Sequence, residues 1–211
     1  MSGKPLITFI IPTIGRSTLS NTLESLINQT NPNWKAIVIF DGVSSTIKNT
    51  DRRISVIESS KLGKTYNSAG VVRNYGITLA DTEWVAFVDD DDCLLHKYVD
   101  IFIAESSKYS VADIIIFRMV SGRTNIMPQL SSDTFYESLV GISFAAKKKL
   151  FDEGHVFISS ITEAFTYLNG ARQKHYNIMI SPHITYFVRQ YDGNNWNDYT
   201  TLGNRVCMFN E

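Results

Sequence analysis

Four consecutive aspartates, Asp89 to Asp92, follow the apolar run Trp84-Val-Ala-Phe-Val88 with nothing between. Adjacent carboxylates repel one another and resist burial unless a cation or positive groups neutralise them. Coming straight off a buried segment, they are not dispersed along a solvated face as an ordinary acidic turn would be. The pattern asks for a hard divalent cation held by oxygen, Mn²⁺ or Mg²⁺ rather than a softer metal. Asp89 and Asp91 lie two apart, so on extended backbone they point the same way. Asp90 and Asp92 are the other same-side pair; the end of the strand favours the first. Two carboxylates do not fill an octahedral shell, and diphosphate oxygens with water would complete it, which suggests a nucleotide substrate. A calcium-binding EF-hand loop is excluded, because its sixth position counted from Asp89 is Leu94 and not glycine.

The elements that must position these acids alternate through the first half. Leu6 to Ile11 is rich in β-branched and aromatic residues and ends at Pro12, which reads as a buried strand. Leu19, Leu23, Leu26 and Ile27 then recur at helical spacing, with Ser17 or Thr18 as N-cap. Ala36 to Phe40 is a second continuous apolar run, stopped by Asp41-Gly42, and Ile54 to Ile57 a short third. The spacing predicts a helix over Asn67 to Ala80, and Trp84 to Val88 makes a fourth strand. Unbroken apolar strands separated by helices imply an α/β fold with a central, mostly parallel sheet covered by helices on both faces. Ligands then gather beyond the carboxyl ends of the strands. Thr13 and Arg16, Asp41, and Asp89 to Asp92 all fall at such ends, so three strand ends converge on one rim.

The second half is less regular. A helix follows Leu95, Ile114 to Phe117 is another buried strand, and Ser121 to Asp133 reads as a loop. A helix is expected around Ile158 to Leu168, with Ile161, Phe165 and Leu168 on one stripe, then strands at Tyr176 to Ile180 and Ile184 to Arg189. Asp192 to Asn195 is loop-like. No repeat or linker divides the chain, and we read residues 1–211 as one domain, 1–100 its nucleotide-binding half and 101–211 its acceptor and catalytic half.

Composition narrows the classes further. The chain has 211 residues, 44% hydrophobic and 19% charged, enough for one sizeable core. Twenty Lys and Arg balance 21 Asp and Glu for a net charge of −1, so no global basic field exists to hold nucleic acid. Two cysteines, Cys93 and Cys207, make no disulfide framework and favour a reducing compartment. The apolar run after Lys4 is too short for a bilayer, no transmembrane segment is expected, and a cytoplasmic location follows.

At the strand ends the residues resemble a known family. The turn Pro12-Thr-Ile-Gly-Arg16, Asp41-Gly42 after the second strand, Val72-Arg-Asn-Tyr-Gly-Ile77 and Phe87-Val-Asp-Asp-Asp-Asp92 are similar, in order and spacing, to the motifs of family 2 glycosyltransferases of the GT-A fold. Phe187-Val-Arg189 resembles a later aromatic–arginine pair of the family. The resemblance implies a metal-dependent transfer of a hexosyl residue from a UDP-sugar, UDP-glucose first and UDP-rhamnose second, to a glycan or glycoprotein hydroxyl. It implies that Asp41 accepts from the uracil N–H, that Pro12 and Thr13 line the base pocket, and that Arg73 contacts the nucleotide. Arg16 would reach phosphate, Asp90 the ribose, and Asp89 and Asp91 the metal.

Inverting members of this family use a carboxylate base, supplied by a glutamate–aspartate pair at the start of a later helix. The match here is Glu163-Ala164, with alanine where the aspartate should stand. Glu163 also falls opposite the Ile161, Phe165 and Leu168 stripe, the position of a solvated helix surface. Inversion and a front-face retaining transfer therefore both stay open. The family's tail histidine aligns with Tyr191, and Asp192 or His183 is a candidate third metal ligand. Two other readings remain: a non-catalytic UDP- or glycan-binding module with Ala164 as its lesion, and a sugar-phosphate nucleotidyltransferase, for which the glycine-rich N-terminal loop is missing.

Overall fold

The structure is a computed structural model, and it describes residues 6–48, 51–63, 68–122 and 125–188. The first half runs β1 (Ile7–Thr13), α1 (Leu19–Ile27), β2 (Trp34–Asp41), β3 (Ile54–Ser59), α2 (Ala69–Leu79) and β4 (Trp84–Phe87). The second runs β5 (Cys93–Leu94), α3 (Tyr98–Lys108), β6 (Ile114–Ser121), β7 (Asn125–Met127), β8 (Phe144–Lys147), α4 (Lys149–Asp152), α5 (Glu163–Gln173) and β9 (Ile178–Phe187).

One sheet takes all nine strands, in the order β3-β2-β1-β4-β8-β6-β9-β5 with β7 on β6. Strands β1 to β4, β6 and β9 run one way and β5, β7 and β8 the other, so the sheet is mostly parallel, as the apolar runs imply. Both faces are covered. Phe9 packs its ring 5.3 Å from that of Tyr98 at the start of α3, while its neighbour Ile10, on the opposite face, lies under Gly76 of α2. A Cβ at Gly76 would come within 2.6–2.7 Å of Ile39 and Ile10, so only glycine lets this helix approach the strands so closely.

The motif-bearing strands sit at the centre for a simple reason. Every residue of β1 and β4 is buried, and all of β2 but Lys35. Strand β1 runs through Pro12 rather than ending before it. Ile10 accepts from Val88 N on the β4 side, so two residues on the Pro12 nitrogen faces the same side, past the end of the β4 pairing. No ladder bond is lost there.

The second half departs from the expected elements in several places, one of them the four-residue helix α4. Strands β5, β7 and β8 are two to four residues long, too short for periodicity to reveal. The helix expected over Ile158 to Leu168 is α5, starting at Glu163; its buried positions are Tyr167, Leu168 and Ala171, and Ile161 lies outside it, 89% exposed. The two strands expected at the C-terminal end are one, β9, passing through Pro182. Between Ile180 and Ile184 it carries two residues more than β6 does between Ile116 and Arg118, and Pro182 falls in that bulge. Most buried apolar residues of both halves form one cluster, beside a small second one of Leu95, Val120, Ile184 and Phe187. Among the described residues no helix is long and apolar enough to cross a membrane. Arg189, Tyr191, Asp192 and Cys207 lie outside the described residues.

Candidate active site

The four aspartates diverge as soon as the chain leaves β4. Asp90 and Asp92 turn inward and are buried, and Asp89 and Asp91 face a cleft of about 500 Å³. Asp90 Oδ2 accepts from Thr13 Oγ1 at 2.6 Å and its Oδ1 from Arg16 Nη1 at 3.0 Å. Burial raises the Asp90 pKa, against the pull of Thr13 and Arg16. Asp91 Oδ2 lies 2.9 Å from the same Arg16 nitrogen, and Asp89 pairs with Arg73.

The backbone of the acidic turn is pinned from two elements. Thr18 Oγ1 donates to Asp90 O at 2.9 Å and Thr22 Oγ1 to Asp92 O at 2.8 Å. Thr18 does stand at the N-cap position of α1, but its hydroxyl serves the turn instead of capping the helix. From β9, the buried Tyr186 hydroxyl donates to Asp92 Oδ2 at 2.7 Å and accepts from Asp89 N at 3.2 Å. Burial and the nearby Asp92 and Asp89 carboxylates push its pKa well above the ordinary tyrosine value, so it stays a neutral donor.

The opposite wall comes from α2 and α5. Arg73, only 2% exposed, pairs with Glu163 through one terminal nitrogen and with Asp89 through the other. Gly70 N donates to Glu163 Oε2 at 2.7 Å, and a Cβ on Gly70 would lie 2.5 Å from that oxygen, so glycine is what lets the helix backbone meet the carboxylate. Asn74 holds the chain leading to α5: its Nδ2 donates to Phe157 O at 2.8 Å and its Oδ1 accepts from Phe157 N at 3.0 Å. Glu163 is therefore not on a solvated helix surface. As the first residue of α5 it points into the cleft with its side chain 15% exposed.

At the far end Asp41 closes β2. Burial alone would raise its pKa, but the Lys61 ammonium at 2.8 Å and the N–H groups of Leu62 and Gly63 outweigh that and hold it below the usual carboxylate value. Pro12, Thr13, Arg16, Asp41, Arg73, Asp89, Asp90, Asp91 and Glu163, nine of the site residues expected from the sequence, line this one cleft. A second cavity of about 300 Å³ adjoins it, sharing Arg73, Asp89 and Glu163, with Met119, Val140 and Phe165 among its apolar walls and Ala164 on its lining. His183 lines neither; it sits 3.9 Å from Glu105.

Sequence reasoning missed Lys61, Tyr186 and Asn74. A lone loop lysine carries no signal, and nothing in the alternation of β9 says that one hydroxyl will reach a turn 94 residues away. Asn74 was legible only as part of the Arg73-Asn74 motif, without its partner.

Asp89 and Asp91 offer hard oxygen ligands to the cleft, and among the described residues no group of three His, Cys, Asp or Glu is placed to hold an ion. That donor set fits a divalent ion whose remaining ligands arrive with a phosphate substrate and water, and does not form a preformed protein cage.

A mostly parallel sheet that delivers its strand ends to an acidic cleft is the plan of the GT-A glycosyltransferase fold, and solved members share it. Staphylococcus aureus TarS in complex with UDP-GlcNAc matches with a TM-score of 0.65 at 17% identity, over 90% of this chain and 60% of that one. The mannosyltransferase PcManGT from Pyrobaculum calidifontis, in complex with GDP-Man and Mn²⁺, matches with a TM-score of 0.65 at 14% identity, over 91% and 59%. The chain belongs to glycosyl transferase family 2, whose sequence model matches residues 8–165. Among curated relatives it is similar to the colanic acid biosynthesis glycosyl transferase WcaA of Escherichia coli, 26% identical over 113 residues. That match spans 51% of this chain and 40% of WcaA.

Proposed function

We propose that the protein transfers a hexosyl group from a UDP-sugar to a hydroxyl of a glycan or glycoprotein acceptor, with inversion at the anomeric carbon. One observation carries the reading: Glu163 and the acidic turn, bridged by Arg73, stand at the junction of the two cavities. The larger cavity suits the donor and the smaller the acceptor. One structural neighbour holds UDP-GlcNAc and another GDP-Man, which supports a nucleotide-sugar donor; UDP-glucose is the first donor to test and UDP-rhamnose the second.

At the Asp41 end the base is recognised, with Pro12 and Thr13 beside it, and Asp90 is near the ribose. Asp91 and Asp89 would hold Mn²⁺ or Mg²⁺, which when bound neutralises the diphosphate leaving group as a Lewis acid. Glu163 accepts the proton of the acceptor hydroxyl. The freed oxygen attacks the anomeric carbon, the bond to phosphate breaks, and the diphosphate leaves with the electron pair. Arg73 and the Gly70 N–H orient the base, so that Arg73 acts through Glu163 and Asp89 rather than on the nucleotide directly.

Glu163→Gln is the decisive variant. Release of UDP from UDP-glucose in the presence of acceptor should fall by about 10²–10⁴-fold, the range for loss of a general base, while UDP affinity in Mn²⁺ holds. Full activity in that variant would remove the base, and NMR of the product anomer would then read retention. Ala164 favours one other reading, a nucleotide-binding module, for which UDP binding without turnover on any acceptor is the signature.

A further inference from the structure

We propose that Arg16 is a resident counter-cation of the acidic turn, which gives up Asp91 to a divalent ion arriving with the diphosphate and then contacts the phosphates itself. The inference rests on the nucleotide-sugar reading above. A single nitrogen, Arg16 Nη1, lies 3.0 Å from Asp90 Oδ1 and 2.9 Å from Asp91 Oδ2, so one positive group serves two carboxylates. It acts from the cleft wall, where the proposed metal ligand Asp91 also stands.

Its setting makes the pairing exchangeable. The Arg16 side chain is 44% exposed and follows Gly15, in the turn between β1 and α1, whereas Arg73 is 2% exposed on a helix and tied at both terminal nitrogens. An ion pair this open to water is weak and yields to a competitor of higher charge. Asp90 is not held by Arg16 alone, since its other oxygen accepts the 2.6 Å bond from Thr13. Charge favours the exchange as well. Asp41, Asp89, Asp90, Asp91 and Glu163 line the cleft against Arg16, Lys61 and Arg73, an acidic excess that a divalent ion offsets. Once released from Asp91, the guanidinium remains beside the site, and its planar fork matches phosphate oxygens well.

The test is a Mn²⁺ titration followed by electron paramagnetic resonance of the free ion, without nucleotide, on wild type and Arg16→Gln. Removing the competitor should tighten Mn²⁺ binding about three- to tenfold, the scale of two partly exposed ion pairs. Calorimetry in saturating Mn²⁺ should then show UDP bound about tenfold more weakly by the variant, with Arg16→Lys between the two and serving as the test if Arg16→Gln fails to fold. A merely structural arginine would loosen both ligands, so Mn²⁺ affinity unchanged or reduced in Arg16→Gln overturns the exchange. If Mn²⁺ affinity in Arg16→Gln is unchanged or reduced while wild type binds Mn²⁺ with UDP and Asp91→Asn does not, the metal reading stands and only the exchange falls. If wild type binds no Mn²⁺ with or without UDP, both fall together.

Discussion

The acidic turn has two flanks, each closed by an arginine, and the two are built on opposite principles. On the α2–α5 flank Arg73 is buried in the protein, fixed between Glu163 and Asp89, with a Gly70 amide and the Asn74–Phe157 pair holding the surrounding backbone. On the β1–α1 flank Arg16 reaches over from a turn and lies half in solvent. The same residue type thus does two jobs. A buried, doubly paired guanidinium is costly to disturb and fixes the relative place of two carboxylates, as a site that must be preorganised requires. An exposed one contributes little to stability, and its pairing yields to an incoming charged ligand at little cost.

The largest expected effect that bears on this comparison is the stability gap between the two arginines. Arg73→Ala strands Glu163 and Asp89 without their shared cation and should cost about 3 kcal/mol in urea unfolding, with Arg73→Lys a poor substitute because a point charge cannot bridge both. Arg16→Ala should cost under about 1 kcal/mol. Equal losses would erase the distinction between the flanks. Next comes the brace beneath both. Tyr186→Phe removes the hydroxyl that joins Asp92 to the Asp89 amide and should lose about 1–2 kcal/mol, together with a weaker grip on UDP in Mn²⁺. Unchanged UDP affinity would mean that the turn keeps its shape without β9.

The smallest effect sharpens the contrast at the Asp41 end of the cleft. Asp41 titrates lower folded than its ordinary value of 3.8, so its contribution is present above pH 3.8 and fades as pH falls through the folded value. Unfolding measured at pH 5 and pH 3 should therefore show wild type losing more stability than Asp41→Asn over that interval. An equal loss would mean that Lys61 and the amides of Leu62 and Gly63 do not hold the carboxylate as their distances imply.

Legibility followed burial and length. The core strands β1, β2 and β4 announced themselves because a strand covered on both faces is apolar at every position, with no alternation to confuse. Strands β5, β7 and β8 left no trace because two to four residues carry no period. The start of α5 was misplaced by five residues because Ile158 and Ile161 mimic a helical stripe; in the fold both are exposed, on the segment that brings Glu163 to the cleft. That shift is also why Glu163 read from its periodicity as a surface residue.

The sequence by itself determined that Thr13, Asp41 and the acidic turn gather at one rim, since residues at the carboxyl ends of neighbouring parallel strands come out together, and they line one cavity with Arg73 and Glu163 of the helices. Tertiary structure alone decided what each of them touches. Arg73 bridges two carboxylates, which its motif does not announce; Thr18 could have capped its helix and instead holds the acidic turn; Asp41 is shared by a lysine and two amides of a loop 20 to 22 residues on. Hydrogen bonds are set to within tenths of an ångström by elements far apart in the chain, and no local pattern of residues encodes where those elements meet.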